Sequence, residues 1–168
     1  MRQGLDGDAF AELVRRTREP LYAYAVAILW DLTVAEDVVQ RAFELAFAKR
    51  HTFRPELGSA SAWMFGIARH VALDERRRMT RRPRLAPRAE FPERCAPDLN
   101  LERTDQRSAL VAAVRTLDEA DRDVIALKFW GDLPNSEIAT LLRCSESNVG
   151  TRLHRAIGKL REVFHDGA

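Results

Sequence analysis

Apolar residues recur along this chain at spacings of three and four, interrupted by clusters of proline and glycine, and the pattern predicts helices throughout. Ala9, Phe10, Leu13 and Val14 open at helical spacing, and the stretch from Leu21 to Trp30 is apolar almost all round, as a central core helix requires. Thr33 is read as the next N-cap, with Glu36 three residues on completing a capping box. In the helix that follows, Val38, Val39, Ala42, Phe43 and Ala46 share one face, while Asp37, Gln40, Arg41 and Glu44 share the opposite one. Pro55 and Gly58 mark His51 to Ser61 as a loop. A further helix, Ala60 to Arg78, is expected to bury Trp63, Met64, Ile67, Val71 and Leu73. Its polar face carries Arg69, His70, Asp74 and the run Arg76, Arg77, Arg78.

The character then changes. Pro83, Pro87, Pro92 and Pro97 forbid a long helix and favour an extended, semi-rigid linker. Beyond it the helical pattern resumes: Leu110, Val114 and Leu117 form a stripe, and Asp118 and Asp121 offer caps. Val124, Ile125, Leu127 and Phe129 continue until Gly131 and Pro134 break the pattern. A short helix with Ile138, Ala139 and Leu142, a break at Arg143-Cys144, and a last helix capped by Ser145 complete a helix-turn-helix pattern. Val149 and Leu153 supply its buried side. Glu146, Ser147, Asn148, Gly150, Thr151, Arg152, His154 and Arg155 lie on or near the outer face, where Ser, Asn and Arg can reach base edges or phosphates. The expected architecture is all-α, with two small helical domains at 1–80 and 107–168 joined by the linker 81–106.

Composition and charge narrow the function. Hydrophobic residues make up 46% and charged residues 31%, which suits a folded chain. The apolar runs fall short of the roughly 20 residues a membrane helix needs, and residues 1–8 lack the apolar stretch of a secretory signal, so a cytoplasmic protein without membrane insertion is expected. Net charge is only +2, but its distribution is uneven. Residues 1–60 hold 8 basic against 9 acidic residues; residues 69–88 hold 8 arginines against Asp74 and Glu75. Residues 149–161 add 4 basic residues and none acidic. Two basic stretches fit either two contact surfaces for a polyanion or two solvated helix faces. Cys95 and Cys144 are isolated and the histidines at 51, 70, 154 and 165 are scattered, so neither metal nor cofactor is expected.

The motif strings carry a resemblance. Leu133-Pro134-Asn135-Ser136-Glu137-Ile138-Ala139, Val149 to Ala156 and Lys159-Leu160-Arg161 resemble region 4 of the sigma-70 family, and Leu117 to Val124 resembles the first half of that region. Ala35 to Phe43 resembles region 2.2; Ala62 to Asp74 with Arg76, Arg77 and Arg78 resembles regions 2.3 and 2.4. With only regions 2 and 4, the chain is similar to the extracytoplasmic-function (ECF) branch. This resemblance implies a transcription initiation factor without chemistry of its own, which binds core RNA polymerase, directs it to promoters, helps melt the duplex and is held in check by an anti-sigma factor. It implies that Asp37, Gln40, Arg41 and Glu44 dock on the clamp helices of the largest polymerase subunit. It assigns Arg69, His70, Asp74, Arg76, Arg77 and Arg78 to single-stranded DNA at the −10 element. The outer face of the last helix, from Glu146 to Arg155, is assigned to double-stranded DNA at −35. The chain departs from the family pattern at His70, Pro134, Arg143 and Gly150. Two other classes stand as alternatives: a helix-turn-helix regulator that acts without being a polymerase subunit, and an enzyme, for which no nucleotide loop, metal set or nucleophile arrangement speaks.

Overall fold

The computed structural model describes residues 4–81 and 112–166, and every described element is helical. Helices α1 (Gly7–Leu29), α2 (Leu32–Lys49) and α3 (Ala60–Thr80) pack pairwise into one unit, with short 3-10 turns at Arg50–Thr52 and Pro55–Leu57 between the last two. A second unit comprises α4, described over 112–116, α5 (Glu119–Phe129), α6 (Asn135–Leu142) and α7 (Glu146–Asp166). The proline-rich segment and Leu110 of the expected stripe lie outside the described residues, as does Cys95. Among the described helices, none is long and apolar enough to cross a membrane.

Short polar side chains set most helix starts, because the first turn leaves backbone N–H groups without intrahelical partners. Asp6 accepts from Ala9 N–H at 2.8 Å, Ser59 from Ala62 N–H at 3.1 Å, Asp118 from Asp121 N–H at 2.8 Å and Ser145 from Asn148 N–H at 3.1 Å. The capping box expected at Thr33 does not form. Asp31 caps α2 instead, accepting from Val34 N–H at 3.0 Å, so Thr33 falls inside the first turn. Pro134 caps α6 without any side-chain hydrogen bond, as its ring dictates.

The first helix is longer than the apolar stretch alone. It runs through Pro20, whose missing N–H forfeits one backbone bond. From Leu21 to Leu29 every residue is buried, so the cost of that lost bond is set against burial on all sides. The expected face of α2 is inward, with Val38, Val39, Ala42 and Ala46 buried and Phe43 half-buried. On α3 the core is Met64, Phe65, Ala68, Val71 and Ala72, while Trp63, Ile67 and Leu73, expected to be buried, stay partly exposed. In the second unit, Ile138, Val149 and Ala156 are completely buried, and Leu153 and Leu160 nearly so.

The helix-turn-helix turn holds Arg143 at φ 53° and ψ 48°, the left-handed conformation that glycine adopts most readily. Cys144 N–H donates to the Ala139 carbonyl at 3.0 Å across it, which closes the end of α6. The turn thus keeps the ordinary geometry and carries its strain in a non-glycine residue. The relocated cap sets a test. Asp31→Ala is expected to cost about 1 kcal/mol in a denaturant titration and Thr33→Ala only a few tenths; equal losses would return the cap to Thr33.

Candidate functional site

Three surfaces collect the charged residues singled out from the sequence. On α2, Asp37, Gln40, Arg41 and Glu44 are all exposed. Gln40 Nε2 donates to Glu44 Oε1 at 3.2 Å, and Arg41 lies 3.5 Å from Glu75 on α3. Two clefts flank this row. One, about 450 Å³, opens between α1 and α2 and is floored by Tyr22, Val39 and Phe43; the other, about 390 Å³, opens toward Glu75. The row therefore stands as a polar ridge between two clefts, one with an apolar floor and charged walls, a shape that can seat a partner's side chains.

On α3 the six residues divide. His70 and Arg77 are exposed. Asp74 pairs with Arg78 one turn away at 3.3 Å, an exposed pair of small energetic weight. Arg69 and Arg76 turn toward the second unit. Arg69 Nε donates to Asp123 Oδ2 at 2.8 Å, and Arg76 pairs with Glu119. Asp123 also accepts from the Tyr24 hydroxyl at 2.9 Å, beside the ring of Phe65. Burial, reinforced by the negative charge of Asp123, holds the Tyr24 phenol well above its ordinary pKa.

The third surface is the outer face of α7. Glu146, Ser147, Asn148, Thr151 and His154 are exposed there, with Gly150 and Arg152 half-buried. The Thr151 hydroxyl is engaged with the Ser147 carbonyl at 3.0 Å. A side-chain carbon built on Gly150 would meet nothing within 4 Å, so the gap in this face is open space. Arg155 behaves differently from its neighbours. Its guanidinium reaches back to Asp121 Oδ1 at 2.6 Å, and Lys159 reaches the other oxygen at 2.6 Å.

Asp121, expected as a cap, is instead a wholly buried carboxylate clamped by two cations. Burial by itself raises its pKa, but hydrogen bonds from Arg155 and Lys159 outweigh that and leave it below the ordinary 3.8. Both cations are held above their usual values by the same carboxylate. Nothing in the local sequence around residue 121 marks this role, because its partners lie more than thirty residues away. Among the described residues there is no cluster of His, Cys, Asp or Glu that could hold a metal.

The model described as Sigma-70 region 2 matches residues 13–82, and that described as Sigma-70, region 4 matches residues 107–160. The ECF RNA polymerase sigma factor SigL of Mycobacterium tuberculosis is 31% identical, over 87% of this chain and 83% of its own. The chain belongs to the ECF branch of the sigma-70 family. The sigma factor SigW of Bacillus subtilis is 27% identical, over 96% of this chain and 91% of its own. Two solved structures share the fold: CnrH in complex with the cytosolic domain of CnrY, with TM-score 0.71, 24% identity and coverage of 97% and 92%; and RpoE in complex with the anti-sigma factor NepR from Bartonella quintana, with TM-score 0.70, 22% identity and coverage of 93% and 96%.

As an ECF sigma factor, the protein is a transcription initiation factor that binds core RNA polymerase and directs it to promoters, and it is not an enzyme. The clamp on Asp121 ties α7 to α5 and so fixes how the sigma factor's last helix projects.

Asp121→Asn is expected to destabilise the protein by about 2 kcal/mol at neutral pH, since it leaves two cations facing a neutral amide. The pH dependence has a definite sign. A carboxyl whose pKa is lowered by folding contributes stability that is complete above its unfolded value and is lost as pH falls through the lowered one. The gap between wild type and Asp121→Asn, followed by urea titration, is therefore constant near neutrality and closes below about pH 4. A gap that persists unchanged into strong acid would remove the charge from the explanation.

Proposed function

We propose that the exposed row on α2, Asp37, Gln40, Arg41 and Glu44, docks the protein on the clamp helices of the largest polymerase subunit. The observation that carries this reading is the ridge itself: four polar residues on one helical face, all exposed, flanked by two clefts. Residues 1–80 then act as the polymerase-docking and −10 domain, 81–106 as a tether and 107–168 as the −35 domain.

In the same reading, Arg69, His70, Asp74, Arg76, Arg77 and Arg78 track the melted strand at −10. Extruding a base costs a few kcal/mol of stacking, which basic backbone contacts and a pocket offset. The half-buried Trp63, 5.6 Å from the ring of Phe53, and the exposed Leu57 line a small cleft at the start of the helix that carries these arginines. The α7 face, Glu146, Ser147, Asn148, Gly150, Thr151, Arg152, His154 and Arg155, lies in the major groove at −35. Arg155 contributes there as an anchor of the helix to Asp121 more than as a reader of bases, given its 2.6 Å bond away from that face. The protein works in the cytoplasm and is restrained by an anti-sigma factor; two fold relatives were solved with proteins bound, one of them an anti-sigma factor.

Reconstitution with core RNA polymerase tests the docking row. Wild type co-elutes with core on gel filtration and supports transcription from specific start sites. Asp37→Arg with Glu44→Arg reduces core affinity by about tenfold or more while leaving the melting temperature nearly unchanged, since both sites are exposed. A protein that ignores core polymerase yet shifts duplex DNA would be a free-standing regulator instead.

Gly150→Arg provides a second test on the DNA face. Placing a cation in the open gap is expected to raise duplex affinity and to steepen its salt dependence by about one counterion, read by fluorescence anisotropy at several salt concentrations. An unchanged salt slope would take this face away from the phosphates.

A further inference from the structure

Polar contacts join the two helical units, and in those from Ser59, Tyr24, Arg69 and Arg76 the donor lies in the first unit and the carboxylate in the second. The Ser59 N–H and hydroxyl both donate to Glu137, at 2.7 and 3.0 Å. Arg69 donates to Asp123, and Arg76 pairs with Glu119. Helix α6 also packs closely on α3, for a side-chain carbon added at Gly66 would sit 3.0 Å from the side chain of Leu141. A small cleft of about 170 Å³, lined by Phe53, Leu57 and Trp63, is walled on its far side by Glu137, Thr140 and Leu141.

We propose that the second domain is an internal mimic of the promoter strand: Glu119, Asp123 and Glu137 occupy the places of DNA phosphates on α3 and its preceding loop, and so hold the protein in a closed, self-masked state. The inference rests on the −10 assignment above. Arg69 and Arg76 are two of the six residues assigned to that strand, and both are taken up by carboxylates here. An arginine paired with a carboxylate cannot at the same time donate those N–H groups to a phosphate, so DNA and the second domain compete for one set of donors. His70 and Arg77 remain exposed, which leaves an incoming strand a foothold from which to displace the carboxylates.

Competition of this kind has a quantitative signature. The measured affinity for single-stranded DNA is the intrinsic affinity reduced by the fraction of molecules that are open. Weakening the carboxylates must therefore tighten DNA binding without any new contact to DNA. A merely structural interface would leave that affinity alone.

The test uses the full chain and fluorescein-labelled oligodeoxythymidine, followed by anisotropy, with the radius of gyration measured by small-angle scattering. Glu119→Ala with Glu137→Ala is expected to bind the oligonucleotide about fivefold tighter or more and to show a larger radius of gyration. Glu12→Ala with Glu162→Ala removes the same charge from exposed positions outside the interface and is expected to leave both quantities unchanged. If this control tightens binding equally, or if neither pair changes binding, the mimicry is overturned. Asp123→Asn, which keeps an acceptor for Tyr24, is a second opening variant and is expected to act in the same direction; a lack of response in it as well as in the double variant overturns the proposal even if one of them folds poorly. Adding Arg69→Ala and Arg76→Ala to the open double variant separates the two ideas. Loss of the gained affinity supports both, whereas undiminished binding removes the −10 assignment and the mimicry that depends on it.

Discussion

Nine consecutive residues of α1, from Leu21 to Leu29, are buried on every side, and a helix that is apolar all round has to be covered all round. Helices α2 and α3 cover part of it, and α5 from the second unit also packs against it. The need to surround α1 therefore draws the C-terminal half of the chain onto the N-terminal half. Tyr24 makes this specific. Its hydroxyl is completely buried and needs an acceptor, and Asp123 on α5 supplies one. Once Asp123 is in place, Arg69 becomes its natural cation, and the arginines of α3 become part of the domain contact.

The same economy of charge shapes the second unit. Asp121 and Asp123 are two residues apart on α5 and both are buried, yet they serve different neighbours. Asp121 faces α7 and gathers Arg155 and Lys159, which sets how the recognition helix stands on its support. Asp123 faces α1 and α3 and ties the two units together. A short helix thus transmits order in two directions. Arg122 between them is partly buried, donates to the Leu117 carbonyl at 2.7 Å and lies over the Trp30 ring, and burial lowers its pKa. The helix that orients α7 is thus the same one that contacts the first unit.

Two surfaces lie open and one is engaged. The α2 row and the outer face of α7 present their polar groups to solvent, so a partner can meet them without rearrangement. The basic face of α3 is different, because two of its arginines already have carboxylate partners in the second unit. Buried or half-buried ion pairs are not a strong source of net stability, since desolvation offsets much of the attraction. In the proposed reading their role is to be exchanged for the phosphates of an incoming strand.

Much was legible in the chain by itself. Helix positions, the polar face of α2, the helix-turn-helix and the family strings all depend on residues within a few positions of one another, and side-chain periodicity and local caps report such neighbours directly. Even there, a choice between adjacent caps went to Asp31 over Thr33, because which side chain reaches the first turn depends on the path by which the chain enters it. The roles of Asp121, Asp123, Glu119 and Glu137 lay beyond the sequence for a different reason. Each is decided by a partner 34 to 99 residues away, and a local pattern shows an acidic residue near a helix start equally whether it caps that helix, waits in solvent or crosses to another domain. The sequence by itself determined an all-helical ECF sigma factor and the helices on which its contacts stand. The tertiary structure decided which of those charged groups stay open and which are spent on one another, because only the packing around α1 brings carboxylates and arginines from distant segments within hydrogen-bond reach.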